Sequence, residues 1–172
     1  MKKGWLLLPL IVALTLMAVF VLGLTAEKND THPSQLIGQA LPAINAPALL
    51  ESHPAFAPTS DGPRLVNLFA SWCVPCIAEI PVLMEMKARG VTIDGIALRD
   101  KAEDVAPFLA RHGDPYRQIG DDPESMAQLT LGSSGVPESY LVDAKGIIRY
   151  QHIGPIMAQD LETMMAEWEK LQ

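Results

Sequence analysis

The sequence predicts an α/β domain, a central mixed sheet flanked by helices, behind one N-terminal membrane-spanning helix. Three observations carry this. Leu65-Val66-Asn67-Leu68-Phe69-Ala70 is a short apolar run, Ile77 to Arg89 has helical periodicity and Val91 to Leu98 is strand-like again; strand, helix, strand implies a right-handed parallel crossover. Later, Ser139 to Asp143 and Ile147 to Ile153 flank Ala144-Lys145-Gly146, which reads as an antiparallel hairpin. Finally, Lys2 and Lys3 precede an uncharged stretch from Gly4 to Ala26.

As a helix that stretch would cover roughly 35 Å, enough for a hydrocarbon core of about 30 Å. Leu24-Thr25-Ala26 matches a signal-peptide cleavage site poorly, so residues 1–26 are expected to be an uncleaved anchor. Positive charge stays on the inner side, which puts the N-terminus in the cytoplasm and everything after Ala26 across the bacterial inner membrane, in the periplasm. A disulfide can persist there. Residues 27–35 are polar, carry Pro33 and read as a tether; residues 36–172 are left for one domain. After position 26 the chain has 11 basic and 20 acidic residues, a net charge of −9. Such a balance excludes nucleic acid as a natural partner.

In order, Leu36 to Leu50 alternates small apolar residues with Pro42 and Pro47, as edge structure does. His53 to Pro63 is a loop. The helix after Ala70 contains Pro81, which should kink it, and Gly90 should close it as a left-handed cap. Asp100 to Arg111 is the next helix, with Glu103 and Asp104 near its start, Phe108 and Leu109 inward, and His112-Gly113 as its exit. Tyr116 to Ile119 is a short extended piece, and Asp121-Asp122-Pro123-Glu124 opens a short helix through Leu129. Gly132 to Gly135 is a flexible approach to Val136-Pro137. The chain closes with a helix over about Ala158 to Leu171, whose Leu161, Met164, Met165 and Trp168 recur at core spacing.

Chemistry concentrates in Trp72-Cys73-Val74-Pro75-Cys76, which holds both cysteines at a strand-to-helix junction. The positive end of a helix favours thiolate at the first Cys. Two intervening residues keep the second thiol close enough to resolve a mixed disulfide. Cys73 is therefore expected to attack and Cys76, one turn in, to resolve. A purely structural disulfide would constrain a loop this short very little. Half a zinc site finds no second Cys pair or suitably spaced His pair, so no metal and no other cofactor is expected.

These residues resemble the thioredoxin superfamily. Gly135-Val136-Pro137-Glu138-Ser139-Tyr140-Leu141-Val142-Asp143, Gly146-Ile147-Ile148-Arg149-Tyr150, His152 with Gly154, and Ile37-Gly38-Gln39-Ala40-Leu41-Pro42 narrow this to similarity with the CcmG/DsbE family of membrane-anchored cytochrome c maturation proteins. The resemblance covers Leu36 to Leu171 and implies a thioredoxin-like fold. It makes Pro137 a cis-proline facing the disulfide, where Trp72, Val136, Pro137 and Glu138 would line a groove for extended substrate. Asn67 falls where thioredoxin has a buried Asp acting as proton acceptor, so that base is absent. Glu79 matches an acidic position of the family and would relay the proton of Cys76, though its negative charge would also raise thiol pKa values. A solvated helix residue is the plainer reading of Glu79, and a surface charge that of Glu138. Phe69 replaces a frequent Trp, and Pro54 to Pro63 is unlike the family's spacer.

The implied activity is thiol–disulfide exchange, run as reduction of the haem-binding thiols of apocytochrome c. Apocytochrome c or its maturation machinery would be the partner, and a transmembrane electron donor would re-reduce the pair of a monomeric protein. A general periplasmic reductase or oxidant of the same fold is the nearest alternative. A copper-binding assembly factor would put three residues between its cysteines, not two. An apocytochrome docking module would survive Cys73→Ser.

Overall fold

The apolar N-terminal run folds as helix α1, Leu8–Thr25, in the computed structural model of the chain, which describes residues 8–25, 36–58 and 62–172. The chain divides into two compact units, Met1–His32 and Pro33–Gln172. At 1.5 Å per residue the 18 residues of α1 extend about 27 Å. Among the described residues no helix is long and apolar enough to cross a membrane. The expected tether over 27–35 lies outside the described residues.

Within the second unit, strands β1 (Arg64–Phe69), β2 (Ile93–Leu98), β3 (Gln118–Asp122), β4 (Glu138–Val142) and β5 (Ile148–Ile153) form one sheet in the order β3-β2-β1-β4-β5. β1, β2 and β3 are parallel, whereas β4 runs antiparallel to β1 and to β5. This is the expected mixed sheet. The first two strands are buried at every position because the sheet is covered on both faces, which is why they read as continuous apolar runs. One face packs against α2 (Val74–Ala88), α3 (Ala102–His112) and α5 (Leu161–Glu169); the other packs against the 41–56 segment and α4 (Met126–Leu131).

Several boundaries differ from expectation for physical reasons. Helix α2 starts at Val74, not Ile77, because Cys73 caps it and Pro75 fits the first turn. It continues unbroken through Pro81 and ends in a Schellman motif: Gly90 has φ 91°, its N–H donates to Lys87 O, and Val91 N–H donates to Met86 O. Asp121 and Asp122 belong to β3 and do not open a helix; α4 begins at Met126. The 36–50 segment makes isolated bridges, Ala40 with Ile147 and Ala48 with Gly120, consistent with edge structure.

The fold gathers one end of the sheet. β1 ends just before the Cys motif, and Leu68 pairs with Glu138, the first residue of β4. Antiparallel pairing therefore brings Pro137 to the end of β1 that feeds Cys73. Glu138 also pairs with Ile153, which brings the 154–156 segment to the same end.

Candidate active site

Cys73 occupies the N-cap of α2 with extended backbone, and its sulfur accepts the Cys76 N–H at 3.2 Å. A sulfur at that position faces a first-turn helix N–H and the positive end of the helix dipole, the arrangement that favours thiolate on reduction. Cys73 and Cys76 are joined by a disulfide with Cα atoms 5.3 Å apart. Cys73 is 4 % and Cys76 1 % exposed, so both are buried in the disulfide form. Their neighbours Trp72 and Val74 are exposed instead, presenting apolar surface around the sulfurs.

The approach to the motif is pinned from β2. The Asp100 carboxylate accepts the Ser71 N–H and, at 2.9 Å each, the Ser71 hydroxyl and the Lys101 N–H. The Trp72 indole N–H donates to Arg99 O at 3.3 Å. Sequence reasoning missed Asp100, because nothing local says that a carboxylate 29 residues on will reach this loop.

Glu79 is not a solvated helix residue; it is fully buried, one turn beyond Cys76 on the same helix. Oε1 accepts from Asn67 Nδ2 at 3.0 Å and Oε2 accepts the Ile156 N–H at 3.2 Å. Burial raises this carboxyl from 4.5 to about 7, against the two hydrogen bonds that favour its charged form. Asn67 also donates to Ser139 Oγ at 3.0 Å and accepts from the Tyr116 hydroxyl at 2.7 Å. Where a carboxylate base was noted as absent, an amide thus organises a buried polar cluster. Tyr116, buried and stacked on Phe69 at 4.5 Å between centroids, went unrecognised as a member.

Val136-Pro137 is cis, as the resemblance implied. Glu138 is 1 % exposed, which overturns its reading as a surface charge. Oε2 accepts from the Ser133 hydroxyl at 2.8 Å and the Ser134 N–H at 3.1 Å, while Oε1 accepts from the Tyr140 hydroxyl and Gln151 Nε2. Burial, then the hydrogen bond to Glu138, raises the Tyr140 phenol. Glu138 thereby ties the 133–134 loop, which leads to the cis-proline, to strands β4 and β5. Strand alternation puts it on the sheet face opposite Asn67 and Ser139, so the two carboxyls do not share a cluster.

Among the described residues no group of three or more His, Cys, Asp or Glu side chains is placed to hold a metal ion. His152 lies on β5, with Nε2 3.3 Å from Pro155 O. A cavity of about 400 Å³ among Asp143, Lys145, Arg149, Glu167 and Lys170 sits by the hairpin turn, at the far end of the sheet from the cysteines. It plays no part in their chemistry.

Comparison with known proteins agrees with this geometry. Residues 37–166 match the Redoxin family. Thiol:disulfide interchange protein DsbE of Escherichia coli K12 is 33% identical over 178 residues, covering 99% of this chain and 96% of that protein. DsbE of Vibrio cholerae is 32% identical over 178 residues, covering 99% and 97%. The crystal structure of a secreted Mycobacterium tuberculosis disulfide oxidoreductase homologous to E. coli DsbE has the same thioredoxin-like fold, with a TM-score of 0.61 at 20% identity over 74% of this chain and 96% of that one. With its disulfide at a helix N-cap, the chain is a thiol–disulfide oxidoreductase that belongs to the Redoxin family and, within it, to the DsbE/CcmG-like thiol:disulfide interchange proteins.

Proposed function

We propose that this oxidoreductase is a reductant of the haem-binding thiols of apocytochrome c, anchored by residues 1–26 in the bacterial inner membrane with residues 36–172 in the periplasm. The observation that carries the exchange chemistry is the pairing of an N-cap Cys73 with a buried carboxyl one turn beyond Cys76; its direction, reduction of the target, rests on the family resemblance. The cytochrome assignment rests on the family resemblance of the 135–143 and 146–154 segments.

In the reduced protein the Cys73 thiolate attacks one sulfur of the target disulfide; that S–S bond breaks and a Cys73–target mixed disulfide forms. Cys76 then gives its proton to Glu79 and attacks the Cys73 sulfur, releasing the second target thiolate. Two electrons pass to the target, and Cys73–Cys76 is left oxidised. A carboxyl titrating about 7 matches this task, because it is part ionised at neutral pH and able both to take and to release a proton. A dithiol electron carrier of the membrane returns two electrons to the pair. The exposed Trp72 and Val74 beside the sulfurs, with the cis Val136-Pro137 segment at the same end of the sheet, suit an extended polypeptide target.

The test joins the equilibrium potential of the Cys73/Cys76 couple with trapping by Cys76→Ala. The expected result is a reducing couple and a covalent adduct with proteins that carry a Cys-x-x-Cys-His segment. A potential near −120 mV, that of a strong periplasmic oxidant, would sink the reductant role. Adducts with proteins lacking haem-attachment segments would sink the cytochrome role alone.

A further inference from the structure

We propose that Tyr116 is a positioning residue of the exchange site, which orients the Glu79 carboxyl through the side-chain amide of Asn67. The idea rests on the relay role given to Glu79 above and names what sets that group's orientation.

An asparagine amide has one face that accepts and one that donates, and its neighbours decide which way it lies. Asn67 Nδ2 spends its two hydrogens on Glu79 Oε1 and Ser139 Oγ, both at 3.0 Å. Ser139 can accept or donate, and Glu79 as a carboxylate only accepts. The buried Tyr116 hydroxyl needs an acceptor for its proton, and Asn67 Oδ1 at 2.7 Å is its hydrogen-bond partner among the described residues. Tyr116 thus rewards the one amide orientation that aims a donor at Glu79. Reversed, the amide would turn Oδ1 toward Oε1, an arrangement only a protonated Glu79 tolerates, and would leave the buried phenol without an acceptor.

The sheet is built to admit this ring. Gly95 pairs with Asn67 on β2, and a Cβ there would stand 2.8 Å from Tyr116 Cδ1 and 2.9 Å from Phe69 Cε1. Any larger residue would push the hydroxyl away from Asn67. The loop from α3 brings the chain in by holding the Tyr116 N–H on Asp114 Oδ1 at 3.1 Å.

Glu79 meets few other groups that titrate. Its own helix brings Cys76 one turn back; β1 brings Asn67, β4 brings Ser139 through Asn67, the segment before β3 brings the Tyr116 phenol, and the segment before α5 brings the Ile156 N–H. Among the described residues no Lys, Arg or His bonds it. The charged form therefore depends on two donors, and Tyr116 governs the orientation of one.

The experiment is a carboxyl-carbon NMR titration of Glu79 in the oxidised full-length protein in detergent, for the parent, Tyr116→Phe and Gly95→Ala. The parent is expected to titrate at about 7. Tyr116→Phe keeps the ring stack and removes only the hydroxyl, and Gly95→Ala keeps the hydroxyl but displaces it. Each is expected to move the Glu79 midpoint upward by about half to one unit, through loss of the Asn67 donor to the charged form. Phe108→Leu, which disturbs the same stack of rings and touches no hydrogen bond of the cluster, is expected to leave the midpoint in place. If either of the first two variants folds and titrates like the parent, the proposal is overturned; it is equally overturned if Phe108→Leu moves the midpoint as far as they do. Exchange rate against pH in Glu79→Gln reads the relay separately. An unchanged rate there removes the relay role, whereas the carboxyl titration still decides whether Tyr116 orients the group.

Discussion

A carboxyl buried without a cation has to choose between losing its solvation and keeping its proton, and Glu79 settles near the midpoint. Its pKa of about 7 lies above the ordinary 4.5, so the folded protein binds a proton that the unfolded chain gives up between those values. The stability linked to that proton is fully present below about pH 4.5 and is lost as pH rises through about 7, on the order of 3 kcal/mol across the window. Glu79→Gln should flatten this fall, which urea unfolding at a series of pH values from 4 to 8 would register; a slope equal to the parent's would mean that Glu79 titrates normally. Asp100 is kept in place by three donors. Asp100→Ala leaves the Ser71 and Lys101 N–H groups without their acceptor at a partly buried site, at a cost of about 2 kcal/mol. It should also free Trp72, seen as a red shift and loss of intensity change on reduction in tryptophan fluorescence. Neither residue's surroundings were legible in the sequence. Spacing placed Glu79 one turn beyond Cys76, but its burial comes from Ile156 and Asn67, which lie 77 and 12 positions away.

At the scale of elements, period and punctuation carried most of the fold. The strand before Cys73, the crossover to β2, the hairpin of β4 and β5 and the Met-striped last helix follow from apolar spacing, and Gly90 closes α2 as its position suggested. The misreading at Asp121-Asp122 shows where local rules end. An acidic pair before Pro123 looks like a helix start, yet Asp122 finishes β3 and pairs with Leu98. From the strand end its carboxylate reaches forward, accepting the N–H groups of Met126 at 2.7 Å and Ala127 at 2.9 Å. It therefore does a capping residue's work from outside the helix, while Ser125, next to α4, makes no side-chain cap bond. Asp122→Ala should lower stability by about 1–2 kcal/mol, the usual loss of a cap. Hydrogen exchange should speed up in α4 and the 132–136 loop and remain slow in α2. Equal acceleration throughout would mean that the contact holds the whole sheet rather than one helix.

For the whole molecule, the question is where the folded domain begins, since the proposed anchor and tether precede it. The chain enters by lying along β5: Gly38 N–H donates to Ile148 O, Ile148 N–H to Gln39 O and Leu41 N–H to Gly146 O, each at 2.7 to 2.9 Å. Leu41 and Ile44 then go into the core on the α4 face. These contacts make residues 38–44 part of the domain although they form no regular strand. A protein starting at Leu36 should therefore unfold at the same temperature as the full chain in detergent. One starting at Asn45 loses three backbone hydrogen bonds and two buried side chains, at least about 4 kcal/mol, and should melt roughly 15 °C lower. The same pair of proteins tests the anchor. The full chain should sediment with phospholipid vesicles and resist extraction by salt or carbonate, because an apolar helix is held by its burial and not by charge. The chain from Leu36 should stay in the supernatant, since a domain with a net charge of −8 has no attraction to an anionic bilayer. Sedimentation of both would move membrane attachment from residues 1–26 to the surface of the domain itself.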